Sequence, residues 1–207
     1  MNFNKFSTSL RPLVVFNTND VFKIFPDFNL MNLSNWRKQN YIIKLAKGFY
    51  TFGDTEVDDS LLYYASNKII EPSYVSCESA LSYYNVVHME NRLTSVCHLK
   101  SYQYKSDFGV FKYHKISDPG LLNNTKLVNR NGYFFKIAAL EKALADYFFF
   151  NPIHQTRAQI KKLEFNKERI SSLVDHETLI SIAEDYQNES LNERIRNFLK
   201  VFYEKQS

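Results

Sequence analysis

The chain has 207 residues, and its 44% hydrophobic and 16% aromatic content is typical of a globular protein with a packed core. Two cysteines are too few for a disulfide framework, and the longest apolar runs are too short for a signal-peptide core or a membrane span. These features predict a reduced, soluble, cytoplasmic protein without a membrane partner.

Positive charge is concentrated near the N-terminus. The formal net charge of +4 is too small to indicate a partner by itself. Residues 1–53, however, contain seven Lys or Arg and two Asp. The rest of the chain contains nineteen Lys or Arg and twenty Asp or Glu. All of the excess positive charge therefore lies in the first quarter.

This first quarter is predicted to begin with three helices. They cover about residues 3–15, 21–25 and 29–39. Thr18 or Asn19 can cap the second helix, and Pro26 ends it. In the third helix, apolar side chains recur three positions apart on one face, namely Leu30, Leu33 and Trp36.

Two β-prone runs follow, YIIKL and FYTF, and Ala46-Lys47-Gly48 joins them. Gly48 can adopt the positive φ that a hairpin turn requires. Three helices followed by a hairpin are typical of a winged helix-turn-helix. In that fold the third helix enters the major groove, and the hairpin, called the wing, reaches the neighbouring phosphates. The acidic stretch that follows predicts a boundary between a DNA-binding domain, residues 1–56, and a second domain, residues 57–207.

The second domain is predicted to be α+β. Its pattern indicates helices at about 60–69 and after Ser76, strands of an antiparallel sheet between 94 and 117, and a strand, GYFFKIA, that leads into the helix ALEKALADYFFF. The C-terminal third is helical, with one apolar stripe and charges opposite it. The stripe comprises Leu191, Ile195, Phe198, Leu199 and Phe202, and the opposite charges are Glu193, Arg194, Arg196 and Lys200.

Three segments in this order, KLAKGFYTF, PSYVSCESALSYYNVV and IAALEKALADYFFFNP, resemble the AbiEi-type antitoxin and transcriptional regulator family of bacterial abortive-infection (type IV) toxin-antitoxin systems. The resemblance covers about residues 15–152. It implies an N-terminal winged helix that binds operator DNA and an α+β domain that antagonises a nucleotidyltransferase-like toxin. The matching positions include Gly48, Tyr50, Ser76, Ser79, Ala80, Leu81, Glu141, Lys142, Ala143, Leu144 and Asp146. Leu140 departs from the pattern, because the family commonly has proline there.

Six side chains are candidates for contacts to double-stranded DNA. Arg37, Lys38, Lys44 and Lys47 can neutralise phosphates, and Asn32 and Asn35 can each pair with adenine. A solvated basic face is the alternative, but the wing and the charge asymmetry favour DNA.

The remaining candidates have structural interpretations. Ser76, Glu78 and Ser79 stand at a helix start, where capping is a simpler explanation than a ligand or toxin contact. Glu141 and Asp146 lie about 140° apart around a helix, so they do not converge on a cation, and ion pairs or a capped helix entry explain them better. The histidines lack metal-ligand spacing and the glycines form no phosphate loop. We therefore expect no catalytic residue, metal or cofactor.

The sequence thus predicts an autorepressor and antitoxin that binds operator DNA as a dimer or as cooperating copies and opposes its toxin with or without binding it. One alternative is a DNA-targeted enzyme that modifies nucleic acid. Another is an interaction module without enzymatic activity whose basic surface binds RNA or an acidic protein.

Overall fold

The computed structural model describes residues 1–88 and 92–203. The chain is mixed α+β, with a group of short helices at the N-terminus and a long helix at the C-terminus. Within these two ranges, no helix combines the length and hydropathy that a membrane span requires.

The N-terminal part contains the predicted helices and hairpin, and one strand that was not predicted. Its elements are α1 (Phe3–Leu10), a 3₁₀ turn (Arg11–Leu13), β1 (Phe16–Asn17), α2 (Thr18–Ile24), α3 (Met31–Lys38), β2 (Ile42–Ala46) and β3 (Phe49–Phe52). Helix α1 ends earlier than predicted because Pro12 has no N–H to continue the helical hydrogen bonds.

The predicted cap of α2 was wrong. Asn17 caps this helix, because its Oδ1 accepts hydrogen bonds from the backbone N–H groups of Asn19 and Asp20 at 2.8 and 3.1 Å. The Asp20 carboxylate in turn accepts the Asn17 N–H at 2.9 Å, which completes a capping box. Thr18 and Asn19 are already the first residues inside the helix.

The three N-terminal strands form an antiparallel sheet in the order β1-β3-β2. Gly48 adopts φ +79° in the β2–β3 turn, as predicted for a tight hairpin. At the other end of the hairpin, the Gly53 N–H donates to the Tyr41 carbonyl at 2.8 Å. A β-carbon on Gly53 would lie 1.8 Å from the Asn40 carbonyl oxygen, so the close approach of these two backbone segments requires glycine. An aromatic core joins the sheet to the helices and includes Phe6, Phe16, Phe28, Trp36 and Phe52.

The second part contains α4 (Asp59–Ile69), β4 (Ser73–Val75), α5 (Cys77–Tyr83), β5 (Arg92–Cys97), β6 (Tyr102–Ser106), β7 (Gly109–Lys115), a 3₁₀ turn (Pro119–Leu122), β8 (Thr125–Arg130), β9 (Tyr133–Ala138) and α6 (Leu140–Phe150). Its six strands form one sheet in the order β6-β7-β5-β4-β9-β8. The expectation of antiparallel strands between residues 94 and 117 was wrong for one pair, since β5 and β7 are parallel. Strands β4 and β9 also pair in parallel. Alternating polarity indicates a half-buried strand but carries no information about the direction of the neighbouring strand. The sequence could therefore not reveal which strands pair in parallel.

Helices cover both faces of this sheet. Ser95 and Tyr113 are directly paired, and both contact α4, through Ser66 Oγ at 2.5 Å and the Ser66 carbonyl at 2.9 Å. The next residue of β7, His114, points to the opposite face, where its ring stacks on Phe150 of α6 at 4.3 Å between centroids.

The C-terminal third is helical, with α7 (Arg157–Lys161), α8 (Lys167–Leu173), α9 (His176–Asp185) and α10 (Glu189–Tyr203). In α10, Leu191, Ile195 and Phe198 are buried and Leu199 and Phe202 are partly buried, which confirms the apolar stripe. The placement of Arg194 on the opposite face was wrong, because this side chain is buried and its Nη1 donates to Ser190 Oγ at 2.9 Å. Position 194 lies three residues after Leu191 and four before Phe198, so helical geometry puts it on the buried face.

The two parts of the chain share a small apolar cluster. Val15 and Leu45 from the N-terminal part pack with Leu61 and Ala65 of α4, and Phe108 in the β6–β7 turn packs against the same cluster. Strand β2, at one edge of the N-terminal sheet, lies beside β6, at one edge of the larger sheet. The predicted domain boundary at residues 56 and 57 therefore lies inside a packed junction, and the independence of the two domains stays a prediction.

Candidate functional site

Helix α3 presents a row of polar side chains away from the core. Leu33 and Trp36 are buried, which fixes the face that packs against the aromatic core. Asn32, Asn35 and Lys38 follow one another at intervals of three residues, so they form a row along the outer side of the helix. Asn35 and Lys38 are exposed and Asn32 is half-buried. Three of the six predicted DNA contacts thus lie on one side of α3.

Arg37 does not belong to this row. It is exposed, but at about 100° per residue it lies about 160° around the helix from Asn35. Its guanidinium and the Asn35 amide therefore occupy opposite flanks of α3. A single surface that contacts Asn35 and Lys38 along their row does not have to include Arg37.

The side chain of Lys44 projects from the helix-facing side of the N-terminal sheet. Lys44 is directly opposite Tyr50, which is directly opposite Phe16 on the next strand, so all three share a face. Phe16 is fully buried in the aromatic core, and its ring stacks on Tyr50 at 5.9 Å. Tyr50 therefore anchors the hairpin, and half-buried Lys44 lies at the outer edge of this row.

Lys47 lies in the hairpin turn and is exposed. The turn is held against the start of α2, because the Thr18 N–H donates to the Gly48 carbonyl at 3.1 Å. Lys47 comes three residues after Lys44, so their α-carbons are at most about 10 Å apart. At the base of the hairpin, the Tyr41 N–H donates to the Trp36 carbonyl of α3 at 2.9 Å. The two lysines thus lie at different points of a hairpin whose turn and base are both hydrogen-bonded to the helical part.

A second polar group lies in the interior of the larger sheet domain, centred on Asp146 of α6. Its Oδ2 accepts hydrogen bonds from Ser76 Oγ at 2.6 Å and from the Tyr74 hydroxyl at 3.0 Å. Its Oδ1 accepts from Lys142 Nζ at 2.8 Å and from the Tyr186 hydroxyl. We call these five residues, Tyr74, Ser76, Lys142, Asp146 and Tyr186, the Asp146 cluster.

Lys142 lies one helical turn before Asp146 and is 1% exposed. Its Nζ donates to both Asp146 and Tyr186 and lies 5.5 and 4.6 Å from the ring centroids of Tyr74 and Tyr186. Carboxylate, hydroxyl and aromatic faces thus surround the ammonium group.

The Asp146 cluster is built to connect elements. Four donors occupy the lone-pair positions of the carboxylate, and Asp146 is 0% exposed. Burial and the Asp146 charge raise the pKa of Tyr74 and of Tyr186 well above the usual range, so both hydroxyls remain donors. The cluster joins α6 to β4, to the start of α5 and to the end of α9. A group that is this enclosed and saturated is not placed to contact a substrate.

Ser76 occupies the N-cap position of α5, but its hydroxyl donates to Asp146 instead of capping the helix, which corrects the expected role. Ser79 Oγ accepts the Thr94 N–H at 2.7 Å and so joins α5 to β5. Glu141 points away from Asp146 and accepts the Asp175 N–H at 3.0 Å. Among the residues that the structure describes, no three His, Cys, Asp or Glu side chains converge as metal ligands.

No protein-family model matches this chain, and no curated protein matches it.

Sequence reasoning missed Tyr74 and Tyr186 as members of the Asp146 cluster. The spacing of Lys142 and Asp146, four residues apart on a helix, is a readable signal for an ion pair. Tyr74 and Tyr186 lie 72 and 40 residues from Asp146, so only the packing of β4 and α9 against α6 brings them to it. No local pattern in the sequence could have identified them.

Proposed function

We propose that the protein is a DNA-binding repressor of its own operon and the antitoxin of a type IV toxin-antitoxin pair. In this proposal the N-terminal part is a winged helix-turn-helix, α3 enters the major groove and the β2–β3 hairpin is the wing. The second domain antagonises a nucleotidyltransferase-like toxin.

One observation carries the DNA-binding half of this proposal. The N-terminal elements follow one another in the order α1-β1-α2-α3-β2-β3, and β3 lies between β1 and β2 in the sheet. In this arrangement α3 has a polar row on its outer side and the hairpin carries lysines. Asn35 and Lys38 are exposed on the outer side of α3, where amide and ammonium groups are suited to base edges and phosphates. Lys44 and Lys47 add positive charge on the neighbouring hairpin.

The antitoxin half rests on the resemblance of three segments between residues 15 and 152 to the AbiEi-type family. The positions of that resemblance in the second domain, Ser76, Ser79, Lys142 and Asp146, form internal hydrogen bonds. We therefore assign them to the stability of the domain and not to toxin contact.

The test of DNA binding is a gel shift with duplex DNA taken from immediately upstream of the gene. We expect salt-sensitive binding, and Lys44→Glu combined with Lys47→Glu should remove it while leaving the circular dichroism spectrum and the unfolding midpoint unchanged. Retained binding by this folded variant would refute the wing assignment. Equal affinity for scrambled DNA and for RNA of the same length would instead favour an interaction module.

The antitoxin test is a growth assay in which the chain is expressed together with the neighbouring reading frame, provided that this frame is nucleotidyltransferase-like. We expect the neighbour to arrest growth alone and the chain to restore it. The Lys44→Glu/Lys47→Glu variant, expressed from an unrelated promoter, separates repression from antagonism. Arrest that persists with the intact chain would overturn the antitoxin assignment.

A further inference from the structure

Helix α3 begins with an apolar side chain that does not face the core. Met31 is 65% exposed, whereas the other apolar side chains of this helix, Leu33 and Trp36, are 3% and 6% exposed. The backbone at Met31 is held in place, because Asn29 Oδ1 accepts the Met31 N–H at 2.9 Å. Core packing therefore explains Leu33 and Trp36 but not Met31.

Met31 continues the polar row on the outer side of α3. At about 100° per residue, Asn35 and Lys38 lie about 40° and 20° from Met31 around the helix axis. Buried Leu33 lies about 160° from Met31. The line of α3 that lies farthest from the core thus consists of Met31, Asn35 and Lys38, with the apolar side chain at its N-terminal end.

The chemistry of this line matches the major-groove edge of an A·T base pair. Adenine presents a donor and an acceptor there that an amide can pair with, and thymine presents a C5-methyl group that the other three bases lack. An apolar side chain can contact this methyl group, and the flexible, unbranched thioether of methionine adapts its shape to such a contact. Asn35 and Met31 together have the two kinds of group that distinguish an A·T pair.

We infer that Met31 contacts the C5-methyl group of a thymine in the operator and so contributes to the choice of DNA sequence. This inference deepens the proposed function and rests on it, because α3 has to enter the major groove. Four residues of helix span about 6 Å, and successive base pairs are about 3.4 Å apart. The thymine therefore lies one or two base pairs from the base at Asn35.

Replacement of thymine by uracil tests this contact, because it removes the methyl group and leaves the hydrogen-bonding groups of the base unchanged. The probes are the upstream duplex and a set of duplexes in which each thymine is replaced in turn by deoxyuridine. Their affinities for the full-length chain are measured by fluorescence anisotropy. The methyl group is worth about as much as one buried CH₂, so its loss at the contacted position should weaken binding about 4-fold. Met31→Ala should bind the thymine and uracil duplexes of that position with equal affinity.

The matched control is Leu30→Ala. Leu30 is the neighbouring residue and is 48% exposed, but it lies about 100° from Met31 around the helix axis. This variant removes a similar amount of apolar side chain from the other flank of the helix. We expect it to keep the 4-fold difference between the thymine and uracil duplexes.

Three results would count against the inference. If no uracil position weakens binding, while the upstream duplex is bound and the Lys44/Lys47 variant does not bind it, the contact to thymine is overturned and the proposed function stands. A difference between thymine and uracil that persists in Met31→Ala, or that is lost equally in Leu30→Ala, would also overturn it. Failure of the unaltered chain to bind any duplex would refute both proposals.

Discussion

Lys142 and Asp146 form an ion pair in which Nζ lies 2.8 Å from Oδ1 and neither side chain is more than 1% exposed. Two charges this deep in a protein are stable only when they are paired and hydrogen-bonded, and here three hydroxyl groups supply the remaining bonds to the carboxylate. The Asp146 cluster thus depends on side chains from three other parts of the fold.

Removal of the carboxylate should be the most damaging change to the Asp146 cluster. Asp146→Leu leaves a buried ammonium and three hydroxyls without their acceptor, so we expect a loss of about 3–5 kcal/mol in the free energy of unfolding. Lys142→Met should cost less, because the carboxylate keeps its hydroxyl donors. The double variant should be less destabilised than the sum of the single variants. Urea denaturation of the full-length chain measures these differences.

The exposed pair Lys68 and Glu71, with Nζ and Oε1 3.0 Å apart, is the control. Lys68→Met and Glu71→Leu should each change the free energy of unfolding by less than about 1 kcal/mol. An Asp146→Leu variant as stable as these controls would contradict the structural role of the cluster.

Ser76→Ala tests whether this residue acts as a cap or as a donor to Asp146. A lost cap costs about 1 kcal/mol, whereas a lost hydrogen bond to a buried charged group costs about 1.5–3 kcal/mol. We expect the larger value. Thr156→Ala is the comparison, since Thr156 Oγ1 accepts the Gln159 N–H in an exposed capping box. Equal losses for the two variants would restore the simple capping interpretation.

The Asp146 cluster and Ser76 show how much of the structure could be predicted from the sequence. Elements defined by local periodicity, such as α3, the β2–β3 hairpin and the apolar stripe of α10, were predicted close to their observed bounds. The parallel pairing of β5 with β7 was not, because strand alternation is the same for both directions. The role of Ser76 was also misassigned, because its partner is 70 residues away along the chain. Local chemistry therefore predicted the elements, and long-range packing determined what their polar side chains do.

His114 should make the stability of the protein depend on pH. Burial beside Phe150, reinforced by the positive charge of Lys112, lowers the pKa of His114 from 6.5 to about 4, while Asp146 acts in the opposite direction. The unfolded chain then binds a proton below about pH 6.5 that the folded chain resists until about pH 4, so stability falls as the pH decreases through this range. Above pH 6.5 this contribution is absent.

His114→Phe keeps an aromatic ring against Phe150 and removes the titration. We expect its urea midpoint to fall less than that of the unaltered chain between pH 7 and pH 5. Some fall should remain, because burial also lowers the pKa of His154. Parallel pH profiles for the two proteins would show that His114 does not control this range.

Gly53→Ala should destabilise the base of the hairpin. The new β-carbon would lie 1.8 Å from the Asn40 carbonyl oxygen and 2.9 Å from the carbonyl carbon, both of which are backbone atoms with little freedom to move. We expect a loss at the upper end of the roughly 1–3 kcal/mol that overpacking costs. Gly48→Ala is the comparison, because its strain comes from φ +79° and the nearest atom to its new β-carbon, Thr18 Oγ1, is 3.7 Å away. A smaller loss for Gly53→Ala than for Gly48→Ala, measured by thermal unfolding, would contradict this reasoning.

The two flanks of α3 should differ in their importance for DNA recognition, if the proposed function is correct. Asn35 and Lys38 are exposed on the same side of the helix, whereas Arg37 lies about 160° from Asn35. We expect Asn35→Ala to reduce the preference for the upstream duplex over a scrambled one by about 1–3 kcal/mol, the value of a bidentate contact to a base. Lys38→Gln should weaken binding to both duplexes and lower the salt slope by about 0.9. Arg37→Gln, which removes the same charge from the other flank, should leave both measures closer to those of the unaltered chain. A larger loss of sequence preference for Arg37→Gln than for Asn35→Ala would mean that the opposite flank of α3 faces the bases.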